Sequence, residues 1–500
     1  MKTLALGGAA MAGPLSAPIY ATPRHRELPA GKRAGDFIIH NDLPWALETR
    51  RSSFGVAPIT PQSAFFVRNN LPMPPESIID KPDQWRFEIV GTNRAGRLTL
   101  GELKQLPIQV VATVLQCSGN GRAFFAHQPS GSPWGIGAAG CALWTGVRVA
   151  DVVEALGGAA PEARFLTATG AEPLPSGVDP NQLVVERSIP LEKGLRDCLL
   201  AWEMNGSPLP LVHGGPLRLI VPGYYGVNNV KWVKRLSLTE RESSSHIQAS
   251  GYRFRNIGEA GGPQHPSMWR MPVKSWINGP GADGDPIASG DVVLHGVAFS
   301  GERGISSVDV SGDDGDHWQQ AELLGPDLGP NAWRSFAFKV HLNPGEYRFV
   351  SRATDKEGDV QPRMANLNQR GYGHNAWHDA ALTLQVVKNR PVIDDKIPLA
   401  PAERDASRQT GGSVELSSLA RKGRNLFLER TRPSCGLCHR LDEAGTQGAI
   451  GPNLDTLRPS SEQVLAALSQ GVGAMPSFAS QLTETEMSAL AAYITEATRP

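Results

Sequence analysis

Cys435-Gly436-Leu437-Cys438-His439 sets two thiols three positions apart with an imidazole directly after them. At that spacing two thioether bonds hold a porphyrin and the histidine ligates its iron, so the stretch is read as the attachment site of one covalent haem c. A zinc half-site is the competing reading, but no second cysteine pair follows to complete it. Residues 419–430, 462–468 and 484–495 carry helical periodicity, which predicts a small all-α cytochrome domain over 418–500. Met475, in Gly473-Ala474-Met475-Pro476-Ser477-Phe478, falls between two of these helices and just before a proline, and is read as the sixth iron ligand. His/Met ligation raises the iron potential, which suits an electron acceptor.

Working back from this motif, the chain changes character several times. Residues 388–417 are polar, proline-bearing and aperiodic, which predicts a linker. Over 251–387 short apolar runs at 292–299, 308–311 and 347–353 are separated by turns such as Asp313-Asp314-Gly315, which predicts an immunoglobulin-like β-sandwich. The segment 22–250 is of mixed α+β type. Residues 85–90 alternate at period two, 149–156 read as a helix closed by Gly157-Gly158, and 217–223 read as a strand ending in a turn. Its first part, 22–60, reads as an irregular, proline-punctuated lead-in. Residues 1–21 resemble a secretory signal: Met1-Lys2-Thr3 precedes an apolar stretch and charge resumes at Arg24. No twin arginine precedes that stretch. Haem c is attached outside the cytoplasm, so the expected location is the periplasm.

At 500 residues the chain exceeds what one core organises. Its 49 basic and 49 acidic residues cancel, so nothing in the balance recruits nucleic acid or an anionic membrane surface. No apolar run is long enough to span a bilayer. Besides the haem pair the cysteines are Cys117, Cys141 and Cys198, too few and too irregular for a disulfide framework.

Cys117 lies in Leu115-Gln116-Cys117-Ser118-Gly119-Asn120-Gly121-Arg122. A lone cysteine is most often a buried structural thiol. A thiol in a glycine-flanked loop beside Arg122, however, has a cation at hand to favour the thiolate that metal ligation needs. Here the chain resembles the sulfite oxidase family of molybdopterin enzymes, from about residue 60 to 387. Matching stretches run in the family's order: Phe65-Phe66-Val67-Arg68-Asn69-Asn70-Leu71-Pro72, then Gln116 to Arg122, Glu203 to Pro210, His213 to Arg218 and Val230-Lys231-Trp232. Ser245 to Gln248, Tyr252, Arg352 to Asp355, Gln361-Pro362, Asn368 to Gly371 and Asn375 to His378 follow. The tail resembles class I cytochromes c, which share Gly451-Pro452-Asn453-Leu454.

The resemblance implies that Cys117 ligates molybdenum of a molybdopterin cofactor, with Asn69, His213, Arg218 and Lys231 binding that cofactor. It brings Arg68, Arg122 and Arg370 to one anion pocket, and Tyr252 beside it as a hydroxyl donor. Planar guanidinium forks suit an oxyanion better than lysine point charges do. Asn70 departs from the pattern: many sulfite oxidases carry a histidine there, and asparagine cannot titrate. The implied function is a sulfite dehydrogenase passing electrons through the haem to an external cytochrome c or copper protein. The alternatives are a sulfane dehydrogenase acting on carrier-bound sulfur and a non-catalytic electron-transfer scaffold. The sandwich is implied to form a homodimer, and the linker predicts a haem domain that moves relative to the rest.

Overall fold

A computed structural model describes residues 27–388, 416–448, 450–472 and 475–499. The predicted signal segment and positions 389–415 of the predicted linker lie outside the described residues.

Two sheets build the molybdopterin-type domain. In the first, Ile108–Gln116, Ala139–Arg148 and Leu199–Met204 pair antiparallel in that order, and Arg218–Ile220 joins Leu199–Met204. The second runs Gly96–Thr99, Arg86–Val90, Val233–Thr239, Phe165–Gly170, Glu186–Pro190, with one parallel pairing between Arg86–Val90 and Val233–Thr239. In strand Arg86–Val90 the period-two pattern turns Phe87 and Ile89 inward. The helix Val149–Ala155 buries Val149, Val152 and Val153, one face of a helical repeat, into the same core as Leu166, Leu200, Leu219 and Leu236.

The lead-in is not irregular. Phe37–Asp42 and Trp45–Thr49 form a hairpin to which Val67–Arg68 adds a third strand. Phe37, Trp45, Leu47 and Val67 close a small core with Val212. Burial of such side chains stabilises by about 1.5–3 kcal/mol each. The partner that completes this core is remote in sequence, so local pattern does not reveal the sheet. Its consequence is functional, because Arg68 ends the third strand.

The second domain is an immunoglobulin-like sandwich. One sheet orders Val273–Gly279, Gly290–Ser300, Arg334–Leu342 and Glu322–Leu324; the other orders Ile287–Ala288, Leu382–Val387, Gly345–Asp355, Ile305–Ser311 and Gln319–Gln320. Leu294, Val308, Phe336, Phe349 and Leu384 interdigitate between them. A separate core containing Phe54, Tyr225, Tyr252, Met268, Trp276, Trp333 and Tyr372 joins the sandwich to the first domain.

The third domain carries helices Ser418–Asn425, continued by a wider turn over Leu426–Arg430, Ser461–Gln470 and Glu484–Ala497, matching the three periodic stretches to within a few residues. Ser460 with Gln463 and Thr483 with Glu486 form reciprocal N-terminal caps. Phe427 and Tyr493 meet edge to face at 5.6 Å in its core, with Leu468 and Leu490. Among the described residues, no helix is long and apolar enough to cross a membrane.

Candidate active site and haem cavity

The site is assembled from the ends of elements, where side chains escape the ladder. Cys117 follows strand Ile108–Gln116, Arg68 ends Val67–Arg68, and Arg218 begins Arg218–Ile220. His213 closes the turn Leu211–His213, Lys231 precedes Val233–Thr239, and Tyr252 follows the turn Ile247–Gly251. One cavity is lined by Arg68, Asn69, Asn70, Cys117, Ser118, Glu172, His213, Arg218, Lys231 and Tyr252. Seven of the nine residues expected at the molybdenum site therefore line one cavity; Arg122 and Arg370 sit beside it.

The Cys117 loop is shaped around Arg122. The backbone N–H of Cys117 donates to Ala138 O at 2.9 Å, tethering the loop to the neighbouring strand. Arg122 donates from Nε to Arg370 O at 3.0 Å and from Nη1 to Ser132 O at 2.8 Å. A Cβ at Gly119 would stand 2.3 Å from Arg122 Nη2, so only glycine lets the guanidinium lie across this loop. Burial depresses the Arg122 pKa, while the nearby Tyr372 and Cys117 favour its charged form.

Tyr252 donates its hydroxyl to Asn70 Oδ1 at 3.1 Å and stacks on Tyr372, ring centroids 5.2 Å apart. Burial pushes its pKa up to about 12. Arg187 lies 5.8 Å from the Tyr252 ring.

The opposite end of the cavity is a buried cation cluster. Lys231 donates to Asn69 Oδ1 at 2.6 Å and Val212 O at 2.7 Å, and Arg218 donates to His213 O at 2.7 Å. Lys32 Nζ reaches His213 Nε2 at 2.9 Å and Phe65 O at 2.8 Å. Burial and then the Arg218 charge hold Lys231 well below its ordinary pKa; His213 is depressed by burial, then by Lys32 and Lys231. Glu172 is the one carboxylate on the cavity wall, and burial pushes it up to about 7.

Asn69 Nδ2, Ser118 Oγ, Glu172 Oε2 and Arg218 Nε line this cavity, are buried, and have no partner within the protein. Each unpaired buried polar group costs about 1–3 kcal/mol, so four in one cavity demand a polar ligand. With Lys231 and Arg218 on the same lining and Lys32 against His213, that ligand is anionic at one end. The residues fit a pterin phosphate near the cation cluster and a metal at Cys117. Sequence reading missed Lys32 and Glu172: both come from stretches with no motif, and only the fold carries them here.

A second cavity of about 530 Å³ opens alongside. Cys435, Cys438, His439 and Met475 line it, with Phe427, Leu468, Phe478 and Ile494 supplying apolar walls. The size suits a cofactor site. His439 Nδ1 lies 3.0 Å from Pro452 O, which fixes the tautomer with Nδ1 as donor and leaves Nε2 to face a metal. Both thiols and both expected axial ligands thus fit a haem. The far wall of this cavity belongs to the first domain, including Arg68, Asn70, Arg122 and Ser130, so Arg68 and Asn70 border both cavities.

Arg370 departs from the expected convergence. It is buried next to Arg122, with its guanidinium carbon 5.9 Å from the Tyr372 ring, yet Nη1 donates to Gln470 O at 3.1 Å and to Gly471 O. One of its donors, Nη1, is thus engaged by the third domain, while Nε is buried without a partner within the protein. Through these contacts the third domain is seated against the first.

Fold and site together define a molybdopterin-binding domain of oxidoreductase type joined to a cytochrome c-type domain. Family profiles agree: residues 71–247 match an oxidoreductase molybdopterin binding domain, 265–385 a Mo-co oxidoreductase dimerisation domain, and 418–494 the cytochrome C oxidase, cbb3-type, subunit III profile. The mitochondrial sulfite oxidase of Rattus norvegicus is 36% identical over 361 residues, covering 68% of this chain and 64% of that protein. The sulfite oxidase of Arabidopsis thaliana is 30% identical over 371 residues, covering 68% of this chain and 92% of that protein. Among solved structures, the sulfane dehydrogenase SoxCD of Paracoccus pantotrophus superposes with a TM-score of 0.59 at 26% identity, covering 76% of this chain and 96% of that one. The chain belongs to the sulfite oxidase family, and its cofactors are the molybdenum–molybdopterin group and haem c. It spans 64% of the rat and 61% of the human mitochondrial enzyme.

Proposed function

We propose that this protein is a periplasmic sulfite dehydrogenase catalysing SO3(2−) + H2O → SO4(2−) + 2 H+ + 2 e−. The observation that carries this reading is the meeting of Arg68, Asn70, Tyr252 and Cys117 on one cavity wall, with Arg122 adjoining it. A small dianion leaves water only for fixed cations and donors, and two planar guanidinium groups supply them in the geometry an oxyanion accepts.

Cys117 would hold the metal through its sulfur, and Lys32, His213, Arg218 and Lys231 would grip the anionic end of the cofactor. When bound, the molybdenum group supplies oxygen-atom transfer and takes up two electrons. Arg68 and Arg122 orient the sulfite oxygens outward, leaving the sulfur lone pair toward Cys117. Tyr252 stays protonated at neutral pH, since burial holds it near about 12. Its hydroxyl therefore acts as a donor, to Asn70 at rest and to a substrate oxygen in the loaded site. Cys435, Cys438, His439 and Met475 would hold the haem, which when bound would supply one-electron carriage toward an external cytochrome c or copper protein. The sandwich would pair two copies as a homodimer.

Oxidation of carrier-bound sulfane sulfur is the second reading, favoured by Asn70 and by the likeness to a sulfane dehydrogenase. The test is steady-state reduction of cytochrome c by protein of known molybdenum and iron content. Sulfite, thiosulfate and a carrier protein bearing a cysteine persulfide are supplied in turn. Molybdenum-dependent turnover of sulfite is expected. Turnover of the persulfide alone replaces the first reading with the second, and no turnover at full molybdenum content overturns both.

A further inference from the structure

The third domain could have been joined to the first only through the chain. Instead, a buried polar contact ties the two. Arg370 Nη1 donates to the carbonyls of Gln470, at 3.1 Å, and Gly471. From the other side Ser130 Oγ donates to Gly471 O at 3.2 Å, with Gln470 Oε1 at 3.4 Å. Arg370 and Ser130 are 4% and 6% exposed, so water does not dilute these bonds.

The segment they hold controls the haem cavity. Gly471 ends the helix Ser461–Gln470, and the backbone of Val472 pairs with Met475 in both directions, at 3.0 and 2.8 Å. Gly471 has φ +70, and a Cβ there would stand 2.5 Å from Met475 O. The carbonyl gripped by Arg370 therefore belongs to the same tight turn that presents Met475. Arg370 itself hangs from the backbone that receives Arg122 Nε, so the clamp is continuous with the Cys117 loop.

We propose that Arg370 and Ser130 are positioning residues that clamp the Gln470–Gly471 segment, seating the haem domain on the molybdopterin domain so that electrons pass between the two cofactors without domain movement. The clamp acts whichever sulfur compound is oxidised. It also sets Met475 relative to the haem iron, because the turn cannot shift while both donors hold its first carbonyl.

The holoenzyme tests this in two ways. First, Ser130→Cys with Gln470→Cys places two thiols across the contact. A disulfide forming in the resting oxidised protein, seen as a mobility change on a non-reducing gel, is expected. Failure to form one under mild oxidation, in folded protein carrying both cofactors, overturns the seated arrangement. Second, intramolecular electron transfer is followed after flash reduction of the haem, in buffers of rising viscosity. The wild-type rate should be independent of viscosity. In Arg370→Gln it should fall about tenfold and become viscosity-dependent, a barrier change of about 1.4 kcal/mol, with weakening of the ferric haem's sulfur-to-iron charge-transfer band. Ser130→Ala, which leaves both cavities' charges intact, should shift the same readouts in the same direction by a smaller factor. A wild-type rate that falls with viscosity, or variants that leave rate, viscosity dependence and band unchanged, overturns the proposal.

Discussion

Replacing Gly119 by alanine tests the catalytic reading with a single methyl group. Gly119 does not occupy the left-handed region, so alanine adopts its backbone conformation without strain. The three atoms nearest the added Cβ all belong to the Arg122 guanidinium: Nη2 at 2.3 Å, Cζ at 2.5 Å and Nη1 at 2.7 Å. Ordinary contact begins near 3.4 Å, so the guanidinium must retreat by about 1.1 Å. Arg122 cannot swing freely, because its Nε and Nη1 are held by Arg370 O and Ser132 O. A misplacement of that size at a group orienting substrate costs about a hundredfold in rate, or roughly 2.7 kcal/mol. The predicted outcome is a kcat/KM for sulfite reduced about 10²-fold, at normal molybdenum content and with the haem spectrum unchanged. The assay is sulfite-dependent reduction of cytochrome c, with elemental analysis and thermal unfolding on the same preparation. A kcat/KM within threefold of wild type would show that Arg122 does not orient the reacting anion.

Three further outcomes follow from the site. Tyr252→Phe removes the hydroxyl donated to Asn70; stopped-flow reduction of the haem by sulfite should slow about ten- to a hundredfold, as for loss of one oriented donor, while molybdenum content stays normal. Asn70→His introduces a group with an ordinary pKa of about 6.5 against that hydroxyl, so kcat/KM plotted against pH should gain a limb between pH 6 and 7 that the wild type lacks. Lys32 has a folded-state pKa of about 7 against 10.5 unfolded, so between those values the unfolded chain binds the extra proton and stability rises with pH. Protein made without molybdate should therefore gain in Tm from about pH 7 toward 10, and Lys32→Gln should flatten part of that rise; an identical slope in the variant would remove Lys32 from the buried cluster.

Some of this molecule was legible residue by residue. The C-x-x-C-H spacing is covalent chemistry, and nothing distant has to be known for two thioethers and an imidazole to hold a porphyrin. The helices of the third domain were readable because their caps, Ser460 and Thr483, and their periodic faces lie within a few positions of each other. The strand at Phe87 and Ile89 was readable for the same reason. The hairpin carrying Trp45 was not, since its core closes on Val212, and Lys32 could not be placed beside His213 from any local pattern. Arg370 shows the limit most clearly: family spacing implied a place for it beside the anion pocket, but no local pattern told that its Nη1 would also reach two carbonyls about a hundred residues away.

The linear order of residues was enough to specify the haem attachment, because ligand identity and short spacing are local properties, while the molybdopterin site was implied by resemblance over ordered stretches of chain. Which cavity each cation faces, and whether the haem domain sits against the molybdopterin domain, were decided only by tertiary packing. Those outcomes depend on buried charges finding carbonyls and one another across long stretches of chain, and such pairings leave no periodic trace in sequence.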